Sequence, residues 1–303
     1  MKGNHMQQRE TEQLHPDAEG LDQLPPDCAA RLLLSGQRAA LSAVEQALPQ
    51  IARAGRAMAE AITGGGRLIY AAAGSSGLMA MADACELPGT FGIAADRILI
   101  LMAGGLPRDA AMPGDTEDAV SEAEEVAAVI RAGDAVILIS ASGTTPYPLA
   151  IKRMAEARGA CTICIANNPG TPLLAGATVP VCLPTPPEIL AGSTRMGAGT
   201  AQKATLNMMS TLMGIALGHV HDGMMVNLCA DNAKLRRRAA GIVARVANIS
   251  DDLAQTHLSR CGGDVKTAIL LACGAESPNT AGDMLARAGG RLRDALAALP
   301  DRS

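Results

Sequence analysis

The sequence is notable first for what it lacks, since its 303 residues include no Trp, one Phe and only two Tyr. It also carries little charge, because 26 basic against 30 acidic residues leave a formal net charge of −4. Nucleic-acid binding needs a basic surface and, for single strands, rings on which bases stack. We therefore expect no nucleic-acid partner. The 48% hydrophobic content is nevertheless enough for a large aliphatic core.

The chain has no apolar signal segment at its start, and its eight cysteines show no disulfide framework. We therefore expect reduced thiols and a cytoplasmic protein. The one CxxC motif, Cys161 to Cys164, lies in an apolar run, where strand alternation would point the two thiols to opposite faces. This pattern predicts no metal or redox cofactor.

One stretch, residues 204–221, has no formal charge and approaches the length of a membrane span. It contains polar side chains, however, among them Asn207, Ser210 and His219. A buried helix of a domain or of a subunit interface is the better interpretation. We therefore expect no membrane partner.

Between residues 67 and 183, short apolar runs alternate with helical segments. The runs cover residues 67–72, 97–102, 134–139, 161–166 and 178–183. Near-continuous apolar strands with helical crossovers are typical of a parallel sheet covered on both faces. The sequence therefore predicts an α/β fold with a five-stranded parallel sheet flanked by helices.

The segments outside the predicted sheet are mostly helical. Apolar residues at helical spacing predict one long helix from about residue 37 to residue 62. After about residue 185 the pattern is helical to the end, and Ser250 as an N-cap, with glycines at 262–263 and 289–290, divides the tail into a small bundle. We predict an irregular N-terminal segment over 1–26, a sheet domain over 27–245 and a helical C-terminal domain over 246–303.

Two loops that follow predicted strands have the composition of phosphate-binding turns, at residues 73–77 and 140–146. The carboxyl ends of parallel strands meet at one edge of the sheet, where helix N-termini offer free N–H groups. Similar turns also connect strands to helices without binding anything, so the pair is stronger evidence than either loop. The candidate substrate-binding residues there are Gly74, Ser75, Ser76, Ser142, Gly143, Thr144 and Thr145.

Four carboxylates accompany these loops. Asp83 and Glu86 lie in an apolar stretch after the first loop, Glu117 follows the second predicted strand and its glycine turn, and Glu188 precedes Ser193 near a predicted helix. Positioned carboxylates can act as general acids or bases. Taken singly, each is explained as well by a helix cap or a solvated turn.

Read together, these motifs resemble the sugar isomerase (SIS) domain, and specifically the N-acetylmuramic acid 6-phosphate etherase family. The resemblance extends over most of the chain, and many short matches occur in the same order. They cover residues 11–12, 65–70, 73–77, 83–86, 103–105, 117–118, 141–143, 145–147, 168–170, 192–196, 198–203, 263–269 and 288–290.

The resemblance implies a lyase that cleaves the D-lactyl ether of N-acetylmuramic acid 6-phosphate during peptidoglycan recycling. The products would be N-acetylglucosamine 6-phosphate and D-lactate, formed by elimination and hydration without a metal or redox cofactor. By position, Glu117 would remove the proton at C2 of the open-chain sugar. Glu86 would protonate the departing lactate and then assist the addition of water.

The resemblance also assigns binding roles and a homodimeric assembly, with the 204–221 stretch at an interface or in the core. Ser75, Ser76, Ser142 and Thr145 would hold the phosphate, while Glu188 and Ser193 would face the sugar. The sequence departs from the family pattern at Gly89, where Pro is frequent, and at three positions that are usually basic. Leu78 and Thr144 stand where Arg is typical, and Gly197 where Lys is frequent. We therefore expect a preference for a less anionic or differently shaped sugar acid.

Two other functions are compatible with this type of domain. One is aldose–ketose isomerisation of a sugar phosphate, which needs a single base, for which Glu188 is a candidate. The other is a non-catalytic regulator that binds a sugar phosphate. The presence of both Glu86 and Glu117 favours the etherase.

Overall fold

A computed structural model describes residues 10–112 and 115–300. The first nine residues of the predicted 1–26 segment lie outside the described residues, and the remainder contains short 3-10 turns at Glu10–Glu12, Pro16–Ala18 and Leu21–Gln23. The chain divides into two compact units. The first unit contains residues up to Ala84 together with Asp96–Ser210, and the second contains Cys85–Ala95 and the chain from Thr211 onward.

The first unit is built on a parallel sheet of five strands in the order β2-β1-β3-β4-β5. All residues of β1 and β3 are buried, because helices cover both faces. The predicted fold class is confirmed, and the predicted strand ends agree to within one residue. The strands are β1 Leu68–Ala72, β2 Ile98–Met102, β3 Ala135–Ser140, β4 Cys161–Ala166 and β5 Val179–Cys182.

The helix predicted over residues 37–62 is in fact two helices, so that prediction was wrong. The first helix, α1, covers Pro26–Glu45 and the second, α2, covers Leu48–Thr63. Pro49 lies in the first turn of α2, and it lacks the N–H that would continue the ladder of α1. The helices that follow are α3 Gly74–Phe91, α4 Val120–Val126, α5 Pro146–Ala157 and α6 Gly197–Ala216.

A buried carboxylate joins β1, α3 and α6 within the first unit. Asp83 is 4% exposed and accepts hydrogen bonds from the Tyr70 hydroxyl at 2.9 Å, Asn207 Nδ2 at 2.8 Å and Ser210 Oγ at 2.9 Å. Burial, then the charge and hydrogen bond of Asp83, raises the pKa of Tyr70 well above its usual value. Asp83 is therefore an ordered structural anion of the core.

The second unit contains a short hairpin and a set of packed helices. Ser250 caps α8 by accepting a hydrogen bond from the Leu253 N–H, as predicted, and Asp264 caps α9 through the Thr267 N–H. Their apolar faces share one core that includes Val243 and Ile269. The elements are β6 Val220–His221, β7 Met224–Met225, α7 Ala233–Ala247, α8 Asp251–Arg260, α9 Val265–Ala272, α10 Pro278–Arg287 and α11 Leu292–Ala297.

The helix in the uncharged 204–221 stretch ends before the stretch does. Helix α6 ends at Ala216, and the last two residues of the stretch form β6. Among the residues that the structure describes, no helix is both long enough and apolar enough to cross a membrane.

Candidate active site

A cavity of about 250 Å³ opens beside the carboxyl ends of β1 and β3 in the first unit. The chain passes from β1 to β2 on one side and then to β3 on the other, so the strand order reverses direction at this point. Open α/β sheets bind their ligands at such a switch point. The lining residues are Thr11, Glu12, Ala73, Ser75, Ser76, Glu117, Ile139, Ser140, Ala141, Ser142, Thr145, Gly192 and Thr194.

The loop after β1 brings two predicted hydroxyls to the cavity. Helix α3 begins at Gly74, so Ser75 and Ser76 lie in its first turn, where N–H groups have no partner within the helix. Gly77 allows the helix to pack closely on β2, because an added Cβ would lie 2.9 Å from the Met102 methyl carbon. Hydroxyls and helix N–H groups together favour an anion at this end of the cavity.

The loop after β3 presents a cluster of hydroxyl groups that bond to one another. Ser140 Oγ lies 2.8 Å from Thr145 Oγ1 and 3.3 Å from Ser142 Oγ. Ser140 Oγ also accepts the Gly143 N–H, and Ser142 Oγ accepts the Thr144 hydroxyl. Gly143 and Thr144 thus hold the loop without lining the cavity. Ser140 was missed as a candidate, although it lies directly in the loop we singled out.

Of the two predicted catalytic carboxylates, Glu117 lines the cavity. It lies in the 3-10 turn Asp115–Asp118, and a Cβ added to Gly74 would be 2.5 Å from its Oε1 atom. The carboxylate is therefore held against the first residue of α3, whose positive end favours a negative charge. Glu86 lies on the α3 segment that belongs to the second unit, and it is exposed.

The N-terminal segment forms a wall of the cavity that sequence patterns alone did not assign. Thr11 and Glu12 both line it. Thr11 is 1% exposed, and its Oγ1 accepts a hydrogen bond from Asn168 Nδ2 at 3.2 Å. The same amide nitrogen donates to the Ala141 carbonyl at 2.9 Å. One buried side chain therefore joins the N-terminal segment to the hydroxyl loop.

Glu188 and Ser193 do not line this cavity, whereas Gly192 and Thr194 do. Glu188 is 5% exposed, and its two oxygens accept the N–H groups of Gly197 at 2.9 Å and Ala198 at 2.8 Å. These are the first two residues of α6. Glu188 therefore caps the N-terminus of this helix, which agrees with its interpretation as a helix cap rather than as a sugar contact.

Comparisons with known proteins agree with the fold and with the motifs. A family model for the SIS domain matches residues 34–167. The chain is 42% identical to the N-acetylmuramic acid 6-phosphate etherase of Deinococcus radiodurans, over 95% of each chain. It is 40% identical to that of Streptomyces avermitilis, over 96% of this chain and 94% of that one. This chain belongs to the N-acetylmuramic acid 6-phosphate etherase family.

Among solved structures, a phosphoheptose isomerase from Francisella tularensis aligns with a TM-score of 0.44 and 18% identity, over 62% of this chain and 97% of that chain. The etherase relatives extend over nearly the whole length, from the N-terminal segment into the helices of the second unit.

The charge of the cavity lining comes from acidic side chains. Among the described residues that line it, two are acidic, Glu12 and Glu117, and none is basic. Leu78 on α3 and Thr144 in the loop after β3 are also uncharged, and neither lines the cavity. An anion bound here would depend on hydroxyls and backbone N–H groups.

Proposed function

We propose that this protein cleaves the D-lactyl ether of N-acetylmuramic acid 6-phosphate to N-acetylglucosamine 6-phosphate and D-lactate. The observation that carries the proposal is the similarity to etherases along nearly the whole chain. The cavity at the β1–β3 switch point supports it, since it combines phosphate-binding chemistry with the carboxylate of Glu117.

The proposed reaction has an elimination and a hydration step. The aldehyde of the open-chain sugar acidifies the proton at C2, and Glu117 removes it as general base. The C3–O bond then breaks, and Glu86 gives a proton to the departing lactate oxygen. Water adds at C3 and a proton returns to C2, so that one water molecule is consumed overall. Neither step is an oxidation or a reduction, and we propose that the protein uses no cofactor.

We propose that the loops after β1 and β3 bind the phosphate of the substrate. Ser75 and Ser76 at the start of α3, with Ser142 and Thr145 after β3, would hold the phosphate. Because basic residues are missing at Leu78, Thr144 and Gly197, we propose a preference for a sugar acid that is less anionic than N-acetylmuramic acid 6-phosphate or differently shaped. We also propose that the protein is a cytoplasmic homodimer, and sedimentation analysis of the purified protein would test the dimer.

The isomerase alternative has less support. Its candidate base is Glu188, and both oxygens of that carboxylate accept N–H groups of α6 in a buried setting. A base must reach the substrate carbon, and Glu188 does not line the cavity. The experiment described next distinguishes isomerisation, and binding without reaction, from ether cleavage.

The deciding experiment incubates the purified protein with N-acetylmuramic acid 6-phosphate and measures D-lactate and the sugar product. Wild-type protein should release both in equal amounts, and Glu86→Gln should slow the release by about 100-fold or more. A ketose product would favour the isomerase. Binding without any product would favour the regulator. A panel of sugar phosphates tests the preference, which fails if the muramic acid substrate is used most efficiently.

A further inference from the structure

We infer that Glu12 is a further substrate-binding residue, which accepts a hydrogen bond from a neutral donor of the sugar, a hydroxyl or an amide N–H. The inference rests on the proposed function only in taking the occupant of the cavity to be a sugar phosphate. It assigns a recognition role to Glu12, for which the sequence shows a match to the family motif at residues 11–12 but no role.

The first observation is that Thr11, the neighbour of Glu12, is fixed in place. Thr11, next to Glu12, is buried and hydrogen-bonded to Asn168, which also holds the Ala141 carbonyl of the hydroxyl loop. The N-terminal segment and the hydroxyl loop therefore share one anchor. Glu12 reaches the cavity from this anchored position rather than from a free tail.

The second observation is that the Glu12 carboxylate has no partner among the residues that the structure describes. It is exposed, and among the residues that the structure describes its carboxylate has no hydrogen bond and no ion pair. A carboxylate has about four acceptor sites and no donor. Its lone pairs are therefore available to a ligand in the cavity that it lines.

The charge of the cavity decides which part of the ligand Glu12 can face. Glu12 and Glu117 are both acidic, and no described lining residue is basic. A phosphate or carboxylate next to Glu12 would meet a like charge. Hydroxyl and amide N–H groups are complementary to it. Glu12 thus favours the uncharged body of the sugar and leaves the phosphate to the hydroxyl loops.

The test measures two ligands on the same variants by calorimetry, N-acetylglucosamine 6-phosphate and inorganic phosphate. For Glu12→Gln, which keeps an acceptor but loses the charge, we expect about fivefold weaker sugar phosphate binding, and for Glu12→Ala about 10-fold to 100-fold weaker binding. Inorganic phosphate should bind Glu12→Gln as tightly as wild type or up to about fivefold more tightly, because a repulsive charge is gone. In turnover, KM should rise while kcat changes little.

Glu10→Gln is the matched control, since Glu10 is an exposed carboxylate in the same turn and does not line the cavity. It should match wild type for both ligands. The inference is overturned if the Glu12 variants bind the sugar phosphate as wild type does, if both ligands weaken in parallel, or if wild type does not bind the sugar phosphate. D-lactate release is measured separately. If Glu12→Gln binds the sugar phosphate more weakly but inorganic phosphate at least as tightly, and wild type releases no D-lactate, the role of Glu12 is supported and the proposed activity is refuted.

Discussion

The contact between Gly74 and Glu117 gives the sharpest prediction about the site. Gly74 has φ +54°, and an alanine Cβ there would be 2.5 Å from Glu117 Oε1, whereas ordinary contacts begin at 3.4 Å. In Gly74→Ala the carboxylate must therefore move by about 0.9 Å, the difference between these distances. A displacement of about 1 Å can slow a reaction about 100-fold. We expect kcat for D-lactate release to fall by that factor.

The variant also carries a backbone cost, which needs its own control. An alanine at positive φ costs about 1 kcal/mol, or about 2–4 °C in Tm for a chain of this size. Gly262 has φ +61° and no atom within 4 Å of an added Cβ, so Gly262→Ala should show the same Tm loss with normal lactate release. Thermal unfolding and lactate assays measure both. Equal activity of the two variants, at equal stability, would refute the placement of Glu117 as base against Gly74.

Two further predictions concern buried polar groups. Asp83→Asn replaces a charged acceptor of three hydrogen bonds and should lower the free energy of unfolding by about 2 kcal/mol in urea titrations; an unchanged midpoint would contradict this. Burial, then the charge of Lys266, lowers the pKa of His219 from 6.5 to about 4. Between these two pH values the folded state binds fewer protons than the unfolded state. The stabilising contribution of neutral His219 is therefore complete above pH 6.5 and is lost as pH falls toward 4. Urea midpoints at pH 7.5 and 5 should differ less in His219→Gln than in wild type, and an equal difference would contradict this.

The sheet could be predicted because its signal is local. Each strand is a short apolar run bounded by turn residues, and β4 matches its predicted range at both ends. The break between α1 and α2 was missed because apolar spacing continues across Gln46 and Ala47. Only the proline in the first turn of α2 marks the new helix, and such a position is compatible with a helix start but does not by itself require one.

The candidate site was predicted in part. Hydroxyls on the loops after β1 and β3 could be predicted because parallel topology brings those loops together. The wall formed by Thr11 and Glu12 could not, since its anchor Asn168 is 157 residues from Thr11 in the chain and the segment has no periodic pattern. Likewise, the residue types around Glu188 do not distinguish a helix cap from a sugar contact. The partners of each oxygen show the cap.

The role of Glu117 as the base of an etherase is tested most directly by the rate at which Glu117→Gln releases D-lactate from N-acetylmuramic acid 6-phosphate. Glu125→Gln is the control, because Glu125 is an exposed carboxylate on α4 that does not line the cavity. We expect the rate to fall by about 100-fold to 10,000-fold for Glu117→Gln and to stay unchanged for the control. A rate for Glu117→Gln within a few-fold of wild type would show that Glu117 is not the base.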